Sequence, residues 1–147
     1  MKFRKSLLAI LFTFTSVLNI ANANLTEPVK LLHAQIDQGC TSCASLNGKI
    51  LLQNISYVKH VDVVFQTSSD TEWYTIPADF SSMDEKNNEE IWIFKSRSLS
   101  SLLTGKTQFA IRYEVDGKTF WDNNCNQNYT LDARNHTTSE TTGRSCQ

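Results

Sequence analysis

From Lys30 to Leu131 apolar residues recur at every second position in short runs, and clusters of Gly, Asn, Asp and Ser separate the runs. A period of two puts alternate side chains on opposite faces of an extended chain, so the pattern predicts half-buried β-strands. Strands are expected near Lys30 to Ile36, Gly48 to Gln53, Val61 to Thr67, Trp73 to Ile76, Ile91 to Lys95, Thr107 to Val115, Lys118 to Trp121 and Tyr129 to Leu131. The clearest is Gln108 to Val115, where Phe109, Ile111, Tyr113 and Val115 share one face and Gln108, Ala110, Arg112 and Glu114 the other. Asp116-Gly117 follows directly and Lys118 to Trp121 resumes the apolar pattern, which describes a two-residue hairpin whose turn needs positive φ. The polar stretches Ser68 to Asp70 and Ser81 to Glu90 read as exposed loops. Eight short strands without a long helix point to an all-β antiparallel sandwich, with a closed barrel as the runner-up.

The two ends of the chain depart from this pattern. Met1-Lys2-Phe3-Arg4-Lys5 precedes an apolar stretch from Leu7 to Ile20 and the small-residue sequence Ala21-Asn22-Ala23. Residues 1–23 therefore read as a secretory signal peptide, and the polar breaks at Thr13, Thr15, Ser16 and Asn19 leave the stretch short for a membrane span. Cleavage would remove Lys2, Arg4 and Lys5 from the 14 basic residues, leaving 11 against 15 acidic ones and a charge of −4. That balance argues against nucleic acid as a partner. Residues 24–131 form one expected domain, and 132–147 a Ser/Thr-rich tail pinned back if Cys146 is bridged.

An extracellular location makes disulfides the expected fate of Cys40, Cys43, Cys125 and Cys146, rather than a redox or zinc site. A bridge across two intervening residues constrains little, so the reading favours Cys40 and Cys43 each reaching one of Cys125 and Cys146, with both arrangements open. Asn24, Asn54, Asn128 and Asn135 each begin an Asn-x-Ser/Thr triplet and are candidate glycosylation sites.

No constellation suggests catalysis, metal or a cofactor. His33, His60 and His136 are scattered; His60 and Asp62 share a strand face as an exposed pair would. Asp84, Glu85, Glu89 and Glu90 read as a solvated acidic loop rather than a hydrolytic carboxylate pair. The aromatic residues carry more. Trp92 alternates within an all-apolar run and belongs in the core. Trp121-Asp122-Asn123-Asn124 instead puts an aromatic plane beside amides and a carboxylate at the end of a hairpin strand, and Trp73 follows a polar loop. Sugar rings present flat C–H faces that stack on such planes, each stack worth on the order of 1.5 to 2 kcal/mol at about 25 cal/mol per Å².

The segments Gly48 to Lys59, Gln108 to Val115 and Phe120 to Asn124, with Asn128-Tyr129, resemble in order and composition the family-21 carbohydrate-binding modules. These include the starch-binding domain of some fungal glucoamylases and the glycogen-targeting subunits of protein phosphatase 1. The likeness runs from about Leu32 to Leu131. It implies an immunoglobulin-like sandwich, not itself an enzyme, that holds α-1,4-glucan on aromatic platforms. Carried onto this chain, one site uses Trp73 and Trp121 with Asn123 and Asn124 near the hydroxyls, and a second uses Tyr57 and Phe80. Ala110 stands where fungal members can carry an aromatic contact, and Glu89 lies in a segment more aromatic in those members. The expected partner is a starch-like or glycogen-like polysaccharide. The alternative is a cell-wall or host-interface protein that keeps the sandwich and binds another polysaccharide or a protein.

Overall fold

The computed structural model describes residues 27–133 and 139–144. Nine antiparallel strands account for most of them: β1 (Val29–Cys40), β2 (Cys43–Gln53), β3 (Lys59–Thr67), β4 (Tyr74–Asp84), β5 (Glu89–Lys95), β6 (Lys106–Val115), β7 (Lys118–Asp122), β8 (Tyr129–Asp132) and β9 (Ser139–Thr141). The one helical element among the described residues is a 3-10 turn over Ser101–Leu103, whose Leu102 is buried. All eight predicted strands are present, and the residues of the leader, 1–23, lie outside the described residues.

Hydrogen bonding runs in the order β7-β6-β3-β4-β5-β2-β1-β9, with β8 on the same edge of β6 as β7 and beyond its end. The strands form two sheets joined by β4. Tyr74 to Pro77 pair with β3, and Ala78 to Asp84 pair with β5. Pro77 sits at the changeover, where a residue without an N–H is tolerated because the ladder passes from one neighbour to the other. The facing sides of the sheets enclose Leu31, Leu46, Ile50, Leu52, Val61, Val63, Phe109, Ile111 and Tyr113, all fully buried. The architecture is an all-β sandwich.

The expected alternation on β6 holds: Phe109, Ile111, Tyr113 and Val115 face the core. Asp116 and Gly117 turn the chain with φ of 49° and 69°, the left-handed pair that this hairpin requires. Two expectations about loops are corrected. β4 runs on to Asp84 and β5 begins at Glu89, so only the tip of the expected Ser81 to Glu90 loop is irregular. Ser81 to Asp84 carry no apolar alternation because that end of β4 is exposed on both faces. Glu90 belongs to no solvated acidic loop either. Strand alternation turns it inward with Phe94, its carboxylate pairs with Lys59 at 2.9 Å, and it accepts the Trp92 indole N–H at 2.8 Å. Trp92 itself is partly buried against the core.

The cysteine pairing is also corrected. Cys40 and Cys43 face each other in register at the tip of the β1–β2 hairpin, Cα atoms 5.1 Å apart, and are joined to each other. The hairpin brings them together, so no distant partner is needed. Cys125 is disulfide-bonded, and Cys146 lies outside the described residues. Of the tail, Ser139–Thr141 adds an edge strand to β1.

Two buried polar groups tie distant elements together. Lys59, on β3, reaches Glu90 on β5 and the Asn54 side chain at 2.6 Å. Asp122, at the end of β7, accepts the Leu31 N–H of β1 at 2.6 Å and the Tyr129 hydroxyl at 2.8 and 2.9 Å. The Leu31 amide lies on the free edge of β1, so the carboxylate closes the seam between the two sheets that the ladders leave open. Tyr129 stacks on Phe109 with ring centroids 5.2 Å apart. Burial, then the hydrogen bond to Asp122, pushes its phenol far above the ordinary value.

Lys59→Met is expected to cost about 3 to 5 kcal/mol in urea unfolding, because the Glu90 charge stays buried without a counter-ion. Pairing it with Glu90→Leu should recover much of that loss. The Tyr129 phenol gives a second expectation. The unfolded chain releases this proton near the ordinary value of 10.0, whereas the folded chain keeps it. Its contribution is therefore whole below pH of about 10 and is lost as pH rises beyond it. Tyr129→Phe should flatten the fall of stability above that pH by up to about 1.4 kcal/mol per pH unit, read from urea midpoints.

Candidate functional site

Because β3, β6 and β7 bury one side chain in two, the alternate residues line an outer face. Register places Val64 opposite Ala110 and runs Asp62, Arg112 and Trp121 across the three strands. The β3–β4 loop ends at Trp73, beside this face. Val64, Trp73, Ala110, Trp121, Asn123 and Asn128 together line an open cleft of about 260 Å³. Trp73 is 46% exposed and Trp121 50%, a large cost in apolar surface for residues that the core could have taken. The two indoles form the aromatic part of the cleft, and the small Ala110 and Val64 side chains form its floor.

Beside Trp121 the sheet carries a charged row. Asp62 is wholly buried and accepts Arg112 Nε at 3.1 Å and Nη2 at 2.7 Å, a bidentate pair. His60 Nε2 lies 2.9 Å from the same carboxylate. The hydrogen bond to Asp62 raises the Arg112 pKa, so the guanidinium stays charged and fixed in orientation next to Trp121.

The loop after Trp121 is built by its asparagines. Asn124, Cys125, Asn126 and Asn128 have φ of 53°, 58°, 66° and 55°, a left-handed conformation that Asn tolerates better than most side chains. Asn123 Oδ1 accepts the Asn126 N–H at 2.9 Å, and its backbone carbonyl accepts the Asn128 N–H at 2.7 Å. Asn124 Nδ2 donates to the Asn128 carbonyl at 2.9 Å. Asn123 still borders the cleft, whereas Asn124 faces into the loop and does not line it. The sequence reading did not single out Asn128 as a cleft residue; its signal was the Asn-Tyr pair, where Tyr129 is anchored inward by Asp122 and Asn128 precedes it.

Tyr57 and Phe80 lie elsewhere. Tyr57, 96% exposed, stands on the β2–β3 loop between the exposed Ile55 and Val58. Phe80 is on β4, 54% exposed and edge-on to Trp92 with centroids 6.2 Å apart. The Lys59 links to Asn54 and Glu90 tie the loop that carries Tyr57 to the strand against which Phe80 packs. Of the Asn-x-Ser/Thr triplets, Asn54 and Asn128 are partly buried, and Asn24 and Asn135 lie outside the described residues. Among the described residues no group of three His, Cys, Asp or Glu could hold a metal ion, and no helix is long and apolar enough to cross a membrane.

The chain is 36% identical over 108 residues to glucoamylase 1 of Rhizopus oryzae, a match that covers 71% of this chain and 17% of that protein. Its fold matches the solution structure of the carbohydrate-binding module of the muscle glycogen-targeting subunit of protein phosphatase 1, with a TM-score of 0.55 and 29% identity, over 90% of this chain and 96% of that one. The model of the carbohydrate/starch-binding module of family 21 matches residues 23–132, and the chain belongs to that family.

Proposed function

We propose that this protein is a secreted, non-catalytic module that binds α-1,4-glucan, starch-like or glycogen-like, by stacking glucose rings on Trp73 and Trp121. The observation that carries the reading is the pair of half-exposed indoles on one cleft. Burying about 60 to 80 Å² of each ring face contributes on the order of 1.5 to 2 kcal/mol per stack. Two stacks, set against the ordering of a flexible chain, suit an affinity around micromolar or weaker. The Asn123 and Asn128 side chains at the rim and the fixed Arg112 guanidinium beside Trp121 supply polar groups for sugar hydroxyls. Tyr57 and Phe80 are exposed enough to serve a second glucan contact. The reading of secretion is supported by the leader-like residues 1–23. The chain matches only 17% of the length of the glucoamylase relative.

Unglycosylated protein should be retained by granular starch and by amylose resin. Trp121→Ala and Trp73→Ala should each weaken retention about tenfold or more, from the loss of one stack, with the circular dichroism spectrum unchanged. Failure of the parent protein to bind either material would sink the proposal. Capture by chitin or another glycan instead would favour a sandwich whose sugar specificity has changed. Tyr57→Ala should lower the capacity for long amylose more than for a short maltooligosaccharide, if the second contact is used.

A further inference from the structure

A second cavity, larger than the tryptophan cleft, lies elsewhere on the molecule. It is a groove of about 510 Å³ at the place where β4 leaves β3 for β5. Ala78 pairs with Phe94, but before that point Tyr74 to Pro77 pair only with β3. The chain from Lys95 to Leu99 therefore diverges from the start of β4 and a groove opens between them. Its floor and wall are Phe65, Tyr74, Ile76 and Leu99, and Phe65 and Tyr74 meet at 5.7 Å with planes tilted by 40°. Lys95 and Arg97 stand at its rim, exposed, and among the described residues neither side chain has an ionic partner. The acid at the rim, Asp70, already accepts the Thr67 hydroxyl at 2.6 Å. The groove thus joins an aromatic floor to a net positive rim, in a chain whose overall charge is −1.

We propose that this groove is a second ligand site, separate from the tryptophan cleft, for a small aromatic molecule that carries one anionic group such as a carboxylate or sulfonate. Charge complementarity selects the anion: two unpaired cations on the rim favour it, and a neutral sugar would leave them without a partner. The floor selects the body of the ligand. Phe65 and Ile76 are buried and apolar and offer no hydrogen bond to hydroxyls, while the tilted ring pair suits a flat aromatic ring. The volume lies within the range of sites for small organic molecules of about 300 to 1,000 Å³. No lining residue is shared with the tryptophan cleft. The inference does not rest on the glucan reading.

The test is titration of the protein with 8-anilinonaphthalene-1-sulfonate, followed by dye fluorescence and by calorimetry. Saturable binding at one site per chain is expected. The double variant Lys95→Glu with Arg97→Glu should lose about tenfold or more in affinity while its circular dichroism and amylose retention stay as in the parent. The neutral analogue N-phenyl-1-naphthylamine should bind at least about tenfold more weakly than the sulfonate. Three results would overturn the proposal: no saturable binding, equal affinity in the folded double variant, or displacement of the dye by maltoheptaose with loss of the signal in Trp121→Ala. The last would place the dye in the tryptophan cleft. Loss of amylose binding in an otherwise dye-competent parent would overturn the glucan reading alone.

Discussion

The arrangement of the molecule depends on one buried carboxylate. Asp122 takes the Leu31 N–H from the free edge of β1 and the hydroxyl of Tyr129 on β8, and so joins the last strands of one sheet to the first strand of the other. Only an acceptor with several lone pairs and a full charge can satisfy donors converging from different elements, and the charge is tolerated inside because hydrogen bonds replace its water. Strand alternation turns this internal contact into an external consequence. With Asp122 fixed inward, its neighbour Trp121 must point outward, and the chain beyond must leave β7 where the Asn-rich loop begins. The outward position of Trp121 is therefore set by the inward anchoring of its neighbour.

The same economy recurs on the rest of the outer face. Asp62 and Arg112 pair across β3 and β6 in the row that ends at Trp121, which fixes the guanidinium beside the ring instead of leaving a long side chain to fold over it. Lys59 and Glu90 do similar work at the other end, where they tether the loop of Tyr57. In each case at least one carboxylate is buried, Glu90 beside a buried Lys59 and Asp62 beside a partly exposed Arg112, and breaking the pair leaves that charge stranded, so these pairs specify geometry more than they add net stability. The buried carboxylates fix side chains on and around the outer face without enlarging the core.

Much of this was legible because it is local. The alternation along β6 and the Asp116-Gly117 turn depend on residues adjacent in the chain, and the resemblance of the Trp-Asp-Asn-Asn segment pointed to the face that the structure assembles. What escaped the reading depends on neighbours far apart in sequence. Glu90 looked like part of a solvated loop because its counter-ion is Lys59, on another strand. Cys40 and Cys43 looked too close to bridge usefully because the value of their bond lies at a hairpin tip, not in the loop it closes. The asparagines after Trp121 read as groups for sugar hydroxyls; their part in the loop, where Asn124 has positive φ and donates to the Asn128 carbonyl, depends on contacts that the sequence does not display.

Residues 73 and 74 show how the two clefts relate. Trp73 lies beside the outer face, with Val64 and Ala110, while Tyr74 packs on Phe65 at the groove where the sheets part. Trp73 ends the loop and Tyr74 begins β4, so one short backbone segment presents an aromatic ring to each cleft. That segment is also where β4 has a neighbour on one side only, since its partner on the other side begins at Ala78. A ladder bonded along one edge yields more easily than one bonded along both. Anything that settles Tyr74 in the groove therefore restrains the same backbone that sets the angle of Trp73. The change of sheet at Pro77 creates the groove and also leaves Trp73 next to a stretch bonded along one edge only, whereas Trp121 is followed directly by the anchored Asp122.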